Sequence, residues 1–306
     1  MISNEIFLQR LSLPLEVKIR MAQQRIREFH KKMEGQTYIS FSGGKDSTVL
    51  LHLVRDIYPE TVATFSDTGL EYPEIKEFVK SIDNVDIIRP TCTFKDVIEK
   101  QGWPILSKQT ARRLRVIREC SKYSSSYISA VYGRSKGKYN IRNKVPNKWL
   151  YLVDAPFKIS EQCCYYLKKA PFKKYNRKTG MVPYLGMMAN ESTMRRLQYL
   201  TYGCNSYGSK TSSNPLSFWT DEDIWNYIHK YDLEYSKIYD MGYRRTGCMF
   251  CAFGAHLELE PNIFQRMKET HPQLWNYCIN VLGEGEVLKA IGVKYENDEQ
   301  DATNIW

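Results

Sequence analysis

A short segment containing two glycines, placed between an apolar run and a helical pattern, constrains this chain most. The run TYISF (37–41) has the composition of a buried strand, and 48–57 has the period of a helix. Between them stands Ser-Gly-Gly-Lys-Asp-Ser (42–47). Two further strand-like runs, TVATF (61–65) and VDII (85–88), flank a second helical pattern. This alternation predicts an α/β fold with a doubly wound parallel sheet.

The segment 42–47 has the residue types of a phosphate site. Ligands of such sheets bind at the carboxyl ends of the strands, where this segment falls. Its glycines let the backbone approach an anion, the helix amino terminus adds positive charge, and the lysine neutralises phosphate oxygens. The aspartate can hold Mg²⁺. The predicted site residues are Ser42, Gly43, Gly44, Lys45, Asp46 and Ser47. A plain tight turn with two glycines is the alternative, and the kinase-type P-loop pattern is absent.

Positive charge is concentrated in the middle of the chain. The whole sequence has 44 Lys and Arg against 34 acidic residues, and 105–180 holds nineteen basic and three acidic residues. We expect an insertion at about 105–160, over the active-site face, that includes the basic helix KQTARRLRVIREC and the tyrosines Tyr123, Tyr127, Tyr132 and Tyr139. Lys and Arg neutralise phosphates and tyrosine rings stack on bases, so 105–180 predicts a nucleic-acid partner or a large phosphorylated substrate. A solvated surface is the alternative.

Eight cysteines, unevenly spaced, favour metal ligation over a disulfide framework. The adjacent pair Cys163-Cys164 and the Cys248-x-x-Cys251 motif are the candidate metal ligands. Four thiolates suit a 4Fe–4S cluster and equally suit zinc, and buried free thiols are the third possibility. The remaining cysteines are expected to be core or incidental thiols: Cys92, Cys120, Cys204 and Cys278.

The sequence also predicts where the protein acts and how the chain is organised. No apolar run approaches the roughly 20 residues that span a bilayer, and the start has no secretory pattern. We therefore expect a cytoplasmic protein without a membrane partner. The expected division is an amino-terminal helix (1–35), a nucleotide-binding domain (36–256) and a helical extension (257–306). Helices are also predicted near 161–169 and 191–200, and a loop at 203–213.

Several separated motifs resemble those of one family. The segment 42–47 looks like the pyrophosphate loop of the adenine nucleotide α-hydrolase (PP-loop) superfamily, and the chain resembles the phosphoadenosine phosphosulfate reductase family. FSDTGLEYPEIKEFV (65–79) is similar to that family's second nucleotide element, and 214–253 to its distal signature. The resemblance implies that ATP or another adenylyl nucleotide is bound, with Mg²⁺, and chemistry at or beyond the α-phosphate. It places Asp67, Thr68 and Gly69 beside the adenosine.

The resemblance also bears on the other candidate residues. The Cys-Cys … Cys-x-x-Cys pattern is similar to that of the iron–sulfur members, the adenylylsulfate reductases, which implies a 4Fe–4S cluster on the four thiols. Arg195 or Arg196 falls where the family has a phosphate-contacting arginine. Lys45, Asp46 and Arg195 are therefore the candidate catalytic residues. The reductases end in a tail with a nucleophilic cysteine, and because this sequence has none after Cys278, we expect ordinary sulfonucleotide reduction to lack its nucleophile.

Three functions remain open at this point. The first is an iron–sulfur enzyme of sulfur metabolism that cleaves ATP between the α- and β-phosphates and adenylates a substrate for sulfur transfer. A nucleic acid is its expected substrate, and a sulfur-donor protein its expected partner. This function resembles that of the sulfur-inserting proteins of DNA phosphorothioation and tRNA thiolation. The second is an adenylylsulfate or phosphoadenylylsulfate reductase that forms sulfite with a reductant partner. The third is a zinc-stabilised nucleic-acid-binding protein.

Overall fold

The computed structural model describes residues 2–208 and 210–297 and divides the chain into two compact units. The first unit comprises the chain up to Asp67 together with Glu71–Pro90 and Ala170–Thr246. The second comprises Thr68–Leu70, Thr91–Lys169 and the chain from Gly247 onward. The three-segment division expected from the sequence stays a prediction.

The strands in the described residues form two sheets. In chain order they are β1 (Thr37–Phe41), β2 (Ala63–Ser66), β3 (Val85–Ile88), β4 (Arg134–Ser135), β5 (Lys138–Tyr139), β6 (Val182–Leu185), β7 (Asn205–Ser206) and β8 (Ser212–Ser213). The first unit contains a six-stranded sheet of order β3-β2-β1-β6-β8-β7, in which only the β7–β8 pair is antiparallel. The second unit contains the antiparallel hairpin β4–β5. The predicted α/β fold with a parallel sheet is thus confirmed.

Most of the remaining regular structure in the described residues is α-helical. They are α1 (Asn4–Leu11), α2 (Leu15–Lys32), α3 (Lys45–Arg55), α4 (Pro73–Lys80), α5 (Phe94–Lys100), α6 (Lys108–Glu119), α7 (Ser125–Tyr132), α8 (Ala170–Thr179), α9 (Thr193–Tyr202), α10 (Asp221–Lys230), α11 (Ile263–Thr270), α12 (Pro272–Asn276) and α13 (Glu284–Ala290). None of the helices in the described ranges is both long and apolar enough to cross a bilayer.

The structure differs from the sequence predictions in three places. Helix α3 begins at Lys45 rather than at 48, because Gly44 is its N-cap. The helix expected near 161–169 is a π-helical turn, Tyr165–Lys169, followed by α8. The loop expected at 203–213 holds β7 and β8, whose polar residues give no apolar alternation to predict them.

A buried ion pair joins α2 to α10 inside the first unit. The Lys18 side chain is 2% exposed, and its Nζ lies 2.6 Å from Oδ2 of Asp223. The same ammonium donates to the carbonyl of Leu11 at 2.7 Å. Asp223 also completes the capping box of α10, since its carboxylate accepts from the backbone N–H of Thr220. A buried charge is tolerated here because each partner has several hydrogen bonds.

Replacing Lys18 by Met is therefore expected to destabilise the protein by about 3–5 kcal/mol, because the Asp223 carboxylate stays buried without its cation. The free energy of unfolding is measured by urea denaturation. Lys230→Met, which removes an exposed lysine paired with Glu16, is the control and should leave stability nearly unchanged. Equal losses in the two variants would contradict the prediction.

Candidate functional site

The loop 42–47 leads directly from β1 into α3, with its amide groups at the helix amino terminus. The Ser47 hydroxyl accepts from the Ser42 N–H at 3.2 Å and donates to the Gly44 carbonyl at 2.8 Å. The Lys45 N–H donates to the hydroxyl of Tyr239 at 2.8 Å. Hydrogen bonds of the Ser47 hydroxyl thus link the two ends of the loop. The Lys45 amide, which donates to the Tyr239 hydroxyl here, is of the kind that donates to anions at helix amino termini.

Close packing explains why both central positions of this loop are glycine. Gly43 has φ +72°, and a Cβ there would lie 2.8 Å from Ile75 and 2.9 Å from Val79, both on α4. A Cβ at Gly44 would lie 2.6 Å from the Thr246 hydroxyl. Neither position accepts a side chain without displacing a neighbour. The backbone of the loop is therefore left exposed to a ligand on its remaining side.

A cleft of about 570 Å³ opens beside the loop. Because β1 and β6 are parallel neighbours, the residues that follow them meet at the same sheet edge. A Cβ at Gly186, just after β6, would lie 3.2 Å from the backbone of Asp46. The charged side chains that line the cleft are Lys45, Asp46, Glu191, Arg195, Asp221, Arg244 and Arg245.

Lys45 is the most buried charged side chain of the cleft. Its side chain is 6% exposed, and its ammonium lies 3.1 Å from Oδ1 of Asp46 and pairs with Asp221. Burial opposes the charged form, but the two carboxylates outweigh it, so the pKa of Lys45 is raised. The lysine is therefore cationic at neutral pH and lines the cleft.

Arg195 forms the second cationic position. It pairs with Glu191, whose other oxygen lies 3.8 Å from a guanidinium nitrogen of Arg245. Burial, with the nearby charge of Arg245, lowers the pKa of Arg195, although its guanidinium remains charged in any accessible pH range. Arg196 instead donates to Asn4 and lies over the ring of Phe7, so of the two candidate arginines only Arg195 lines the cleft.

Sequence reasoning missed several residues of this site. Glu191 gave no signal. Asp221, Tyr239 and Thr246 lie inside the segment 214–253 that carries the family resemblance, which was the one available indication. These residues belong to the site because the folded chain brings them to the cleft beside the loop 42–47, and no local sequence pattern indicates that.

The second predicted nucleotide element is divided between the units. Asp67 follows β2 in the first unit, where it lies 2.9 Å from Lys76 and 3.3 Å from Arg89. Thr68 and Gly69 belong to the second unit. The Thr68 hydroxyl accepts from the N–H of Leu70, and Gly69 has φ +80°. Their position beside an adenosine stays a prediction.

All four candidate metal-ligating cysteines belong to the second unit. Burial, followed by the charges of the other three cysteines, raises the pKa of Cys163, which Lys168 opposes. Burial, together with Cys248 and Cys164, raises the pKa of Cys251 to about 12. The four thiols are thus within electrostatic range of one another. In the part of the chain that is described, no three His, Cys, Asp or Glu side chains are arranged to hold a metal ion.

The other cysteines occupy different surroundings. Cys204 and Cys278 are buried, as expected of core thiols, and Cys92 and Cys120 are partly buried. The Cys278 thiol donates to Oε2 of Glu284 at 2.8 Å. Burial raises the pKa of the Glu284 carboxyl to about 8, so it is largely protonated at neutral pH.

The basic helix α6 has two kinds of arginine. Arg113 donates to the carbonyls of Arg142 and Lys144, and Arg118 to those of Ala155 and Phe157. Arg115 binds the Glu161 carboxylate with two nitrogens. These three arginines hold the second unit together, whereas Arg112, on the same helix, is exposed. Three of the four expected tyrosines are also exposed: Tyr123, Tyr132 and Tyr139.

The model of the phosphoadenosine phosphosulfate reductase domain matches residues 36–105 and 121–253. The match covers more than half of the chain and includes the loop, Asp67 and all four candidate cysteines. It leaves out 106–120, the segment that contains α6.

Curated relatives and a solved structure are similar to the chain at low identity. An uncharacterized protein of Methanocaldococcus jannaschii is 27% identical over 90% of this chain and 53% of its own length, so the chain spans about half of that relative. The adenosine 5'-phosphosulfate reductase of Geobacillus thermodenitrificans is 26% identical over 72% of this chain and 73% of its own. The phosphoadenylyl-sulfate reductase structure from Candida auris has a TM-score of 0.45 and 13% identity, covering 81% of this chain and 96% of that one.

Replacing Gly44 by Ala is expected to weaken binding of pyrophosphate by at least tenfold, because the new methyl group displaces Thr246 and the loop with it. Titration calorimetry with pyrophosphate measures the affinity. Gly208→Ala is the matched control, since a Cβ there meets nothing within 4 Å. Unchanged affinity in the Gly44 variant would show that the loop does not bind the anion.

Proposed function

The chain belongs to the phosphoadenosine phosphosulfate reductase domain family, and from that premise we propose that its first unit binds ATP with the phosphates on the loop 42–47. One observation carries the proposal. The amide end of α3, the buried Lys45 ammonium and the Arg195 guanidinium all line one cleft at the carboxyl ends of β1 and β6. A triphosphate requires this combination of backbone donors and fixed cations.

The proposed reaction is cleavage of ATP between the α- and β-phosphates. An oxygen of the substrate attacks the α-phosphorus, the bridge to the β-phosphate breaks, and pyrophosphate leaves. Lys45 and Arg195 stabilise the charge that develops on the phosphate oxygens. Asp46 is the carboxylate of the loop that would hold Mg²⁺, which supplies further charge neutralisation when bound. A hydrosulfide supplied by the sulfur-donor protein then attacks the substrate atom that bears the adenylated oxygen, a bond to sulfur replaces the bond to that oxygen, and AMP leaves with the oxygen.

We infer that the adenylated substrate is a nucleic acid. The second unit carries most of the basic residues of 105–180, and exposed tyrosines accompany them. Phosphoryl chemistry on a mononucleotide requires a few cations, which the first unit already provides. The additional charge of the second unit, with aromatic rings beside it, matches a phosphodiester backbone and its bases.

We also propose that the four cysteines of the second unit bind a 4Fe–4S cluster. All four thiols lie in the second unit, and the charges of Cys164, Cys248 and Cys251 act on Cys163. Four thiolates suit such a cluster, and the Cys-Cys … Cys-x-x-Cys order is similar to that of the iron–sulfur members of the family. Lys168, beside Cys163, would offset part of the cluster's negative charge.

Reduction of adenylylsulfate is the second candidate function. It is favoured by the Geobacillus reductase, whose match extends over 73% of its length. Both functions use an adenylyl nucleotide in the same cleft, but only the first releases pyrophosphate from ATP and only the second forms sulfite. The products therefore distinguish them.

The protein, purified without air and given ATP, Mg²⁺ and nucleic acid, is expected to release pyrophosphate rather than orthophosphate. Asp46→Asn should retain nucleotide binding but lower Mg²⁺-dependent cleavage by about tenfold or more, because an amide is a weaker Mg²⁺ ligand than a carboxylate. Coupled pyrophosphate and phosphate assays measure the products. Asp56→Asn, on the far end of α3, serves as the control. Release of γ-phosphate alone would contradict the proposal.

Anaerobic protein is expected to be brown and to contain about four iron atoms per chain. Cys251→Ser should lose the colour and most of the iron, whereas Cys204→Ser, which removes a buried thiol of the first unit, should retain both. Metal analysis and the visible absorption spectrum provide the measurement. A colourless protein with one zinc per chain would favour the zinc-stabilised nucleic-acid-binding protein instead.

A further inference from the structure

The second unit contains a cavity of about 330 Å³ that is separate from the nucleotide cleft in the residues that line it. Its walls come from α6, α7, the β4–β5 hairpin and the turn that follows the hairpin. The principal polar side chains are Arg112, Arg113, Lys136, Ser126, Ser129 and Asn143, and none of the described lining residues is acidic. We propose that this cavity binds a single phosphodiester group of the nucleic-acid backbone. The inference rests on the proposed function and identifies where that substrate is held.

The two arginines of the cavity have different tasks. Arg113 is half-buried and donates to the carbonyls of Arg142 and Lys144, which fixes the wall of the cavity. Arg112 is exposed and, among the described residues, has no hydrogen-bond or ion-pair partner. Its guanidinium is therefore available to a phosphate, to which it can donate two parallel hydrogen bonds.

The Glu161 carboxylate is already engaged by another arginine. Glu161 lies close enough to Arg112 to feel its charge, but both of its oxygens are bound by Arg115 at 2.7 and 3.1 Å. Burial, and after it the like charge of Arg112, lowers the pKa of Arg113. An anion in the cavity would relieve this repulsion, which favours occupancy by a negatively charged group.

The hairpin supplies a third cation to the cavity. Strands β4 and β5 are joined by Lys136 and Gly137 alone, with φ +49° and +75°, as in a type I′ turn. Such a two-residue connection fixes the backbone of the turn and the Cα–Cβ direction of Lys136. Lys136 lines the cavity from this turn, as Arg112 does from α6. Positively charged side chains from α6 and from the hairpin turn thus line the same cavity.

The other lining groups indicate a phosphodiester rather than a highly charged phosphate. The serine hydroxyls on α7 supply neutral donors to the non-bridging oxygens of a singly charged ester. The Tyr139 ring, on β5 of the hairpin, lies 3.1 Å from where a Cβ of Gly133 would stand, and the residue is 64% exposed. This exposed ring would offer a stacking surface to a base of the bound strand.

The test compares variants of the full chain in binding single-stranded DNA, measured by fluorescence anisotropy between about 50 and 200 mM salt. The double variant Arg112→Gln/Lys136→Gln is expected to bind at least tenfold more weakly at about 100 mM salt. Its log–log salt slope should be flatter by about 0.7 for each phosphate that is no longer neutralised. Ser129→Leu removes a hydroxyl donor and narrows the cavity without changing charge, and it should weaken binding at least fivefold. Lys122→Gln removes an exposed charge outside the cavity and should change binding less than twofold.

The outcomes separate this inference from the proposed function. The cavity is not the site if the wild type binds DNA, Ser129→Leu binds it equally well, and the double variant loses only twice as much binding free energy as Lys122→Gln. In that case the proposed function still stands. If the wild type binds neither single-stranded DNA nor tRNA, both fail. Pyrophosphate binding to the first unit should stay unchanged in all variants, and thermal melting checks that each is folded. Weaker DNA binding by both cavity variants, with pyrophosphate binding retained, supports the inference.

Discussion

The parallel pairing of β1 with β6 is the constraint on which the candidate site depends. Ser40 of β1 lies opposite Leu185 of β6, so the two strands end together. The loop 42–47 follows β1, and Gly186 follows β6. A Cβ at Gly186 would lie 3.2 Å from the backbone of Asp46, which is closer than ordinary van der Waals contact. Parallel strands end at the same sheet edge, and this brings distant parts of the chain to one anion site without any local signal between them.

The sequence predicts the parts of the fold in which local chemistry and tertiary structure agree. The strand 37–41 and the loop after it are both predictable, because apolar runs and glycines act over a few positions. Strands β7 and β8 are not predictable from the sequence. Ser212 and Ser213, which form β8, are buried because they pair with β6 and β7 and not because they are hydrophobic. Glu191 could not be predicted as a site residue for a related reason. It pairs with Arg195 and approaches Arg245, and Arg245 is distant from it in the sequence.

Basic residues illustrate a second limit of sequence reasoning. A run of arginines in α6 suggests a uniform polyanion-binding surface, yet most of them hydrogen-bond to carbonyls or to Glu161 within the second unit. Arginine is suited to this task because its planar guanidinium satisfies several acceptors at once. A count of basic residues therefore overstates the number of charged groups available to a ligand. Only the tertiary structure separates the arginines that bond within the unit from those that can bind a ligand.

The position of Glu191 gives the cleft an internal counter-ion. Its carboxylate pairs with Arg195 and approaches Arg245, while Asp46 and Asp221 flank Lys45. An incoming anion must compete with carboxylates that are already tethered in place, and a tethered competitor acts at a high effective concentration. We therefore expect a monovalent anion such as chloride to compete poorly for these positions, and a polyphosphate to displace several carboxylates at once. A cleft of this kind would select its ligand by charge number before any contact with a base or a sugar.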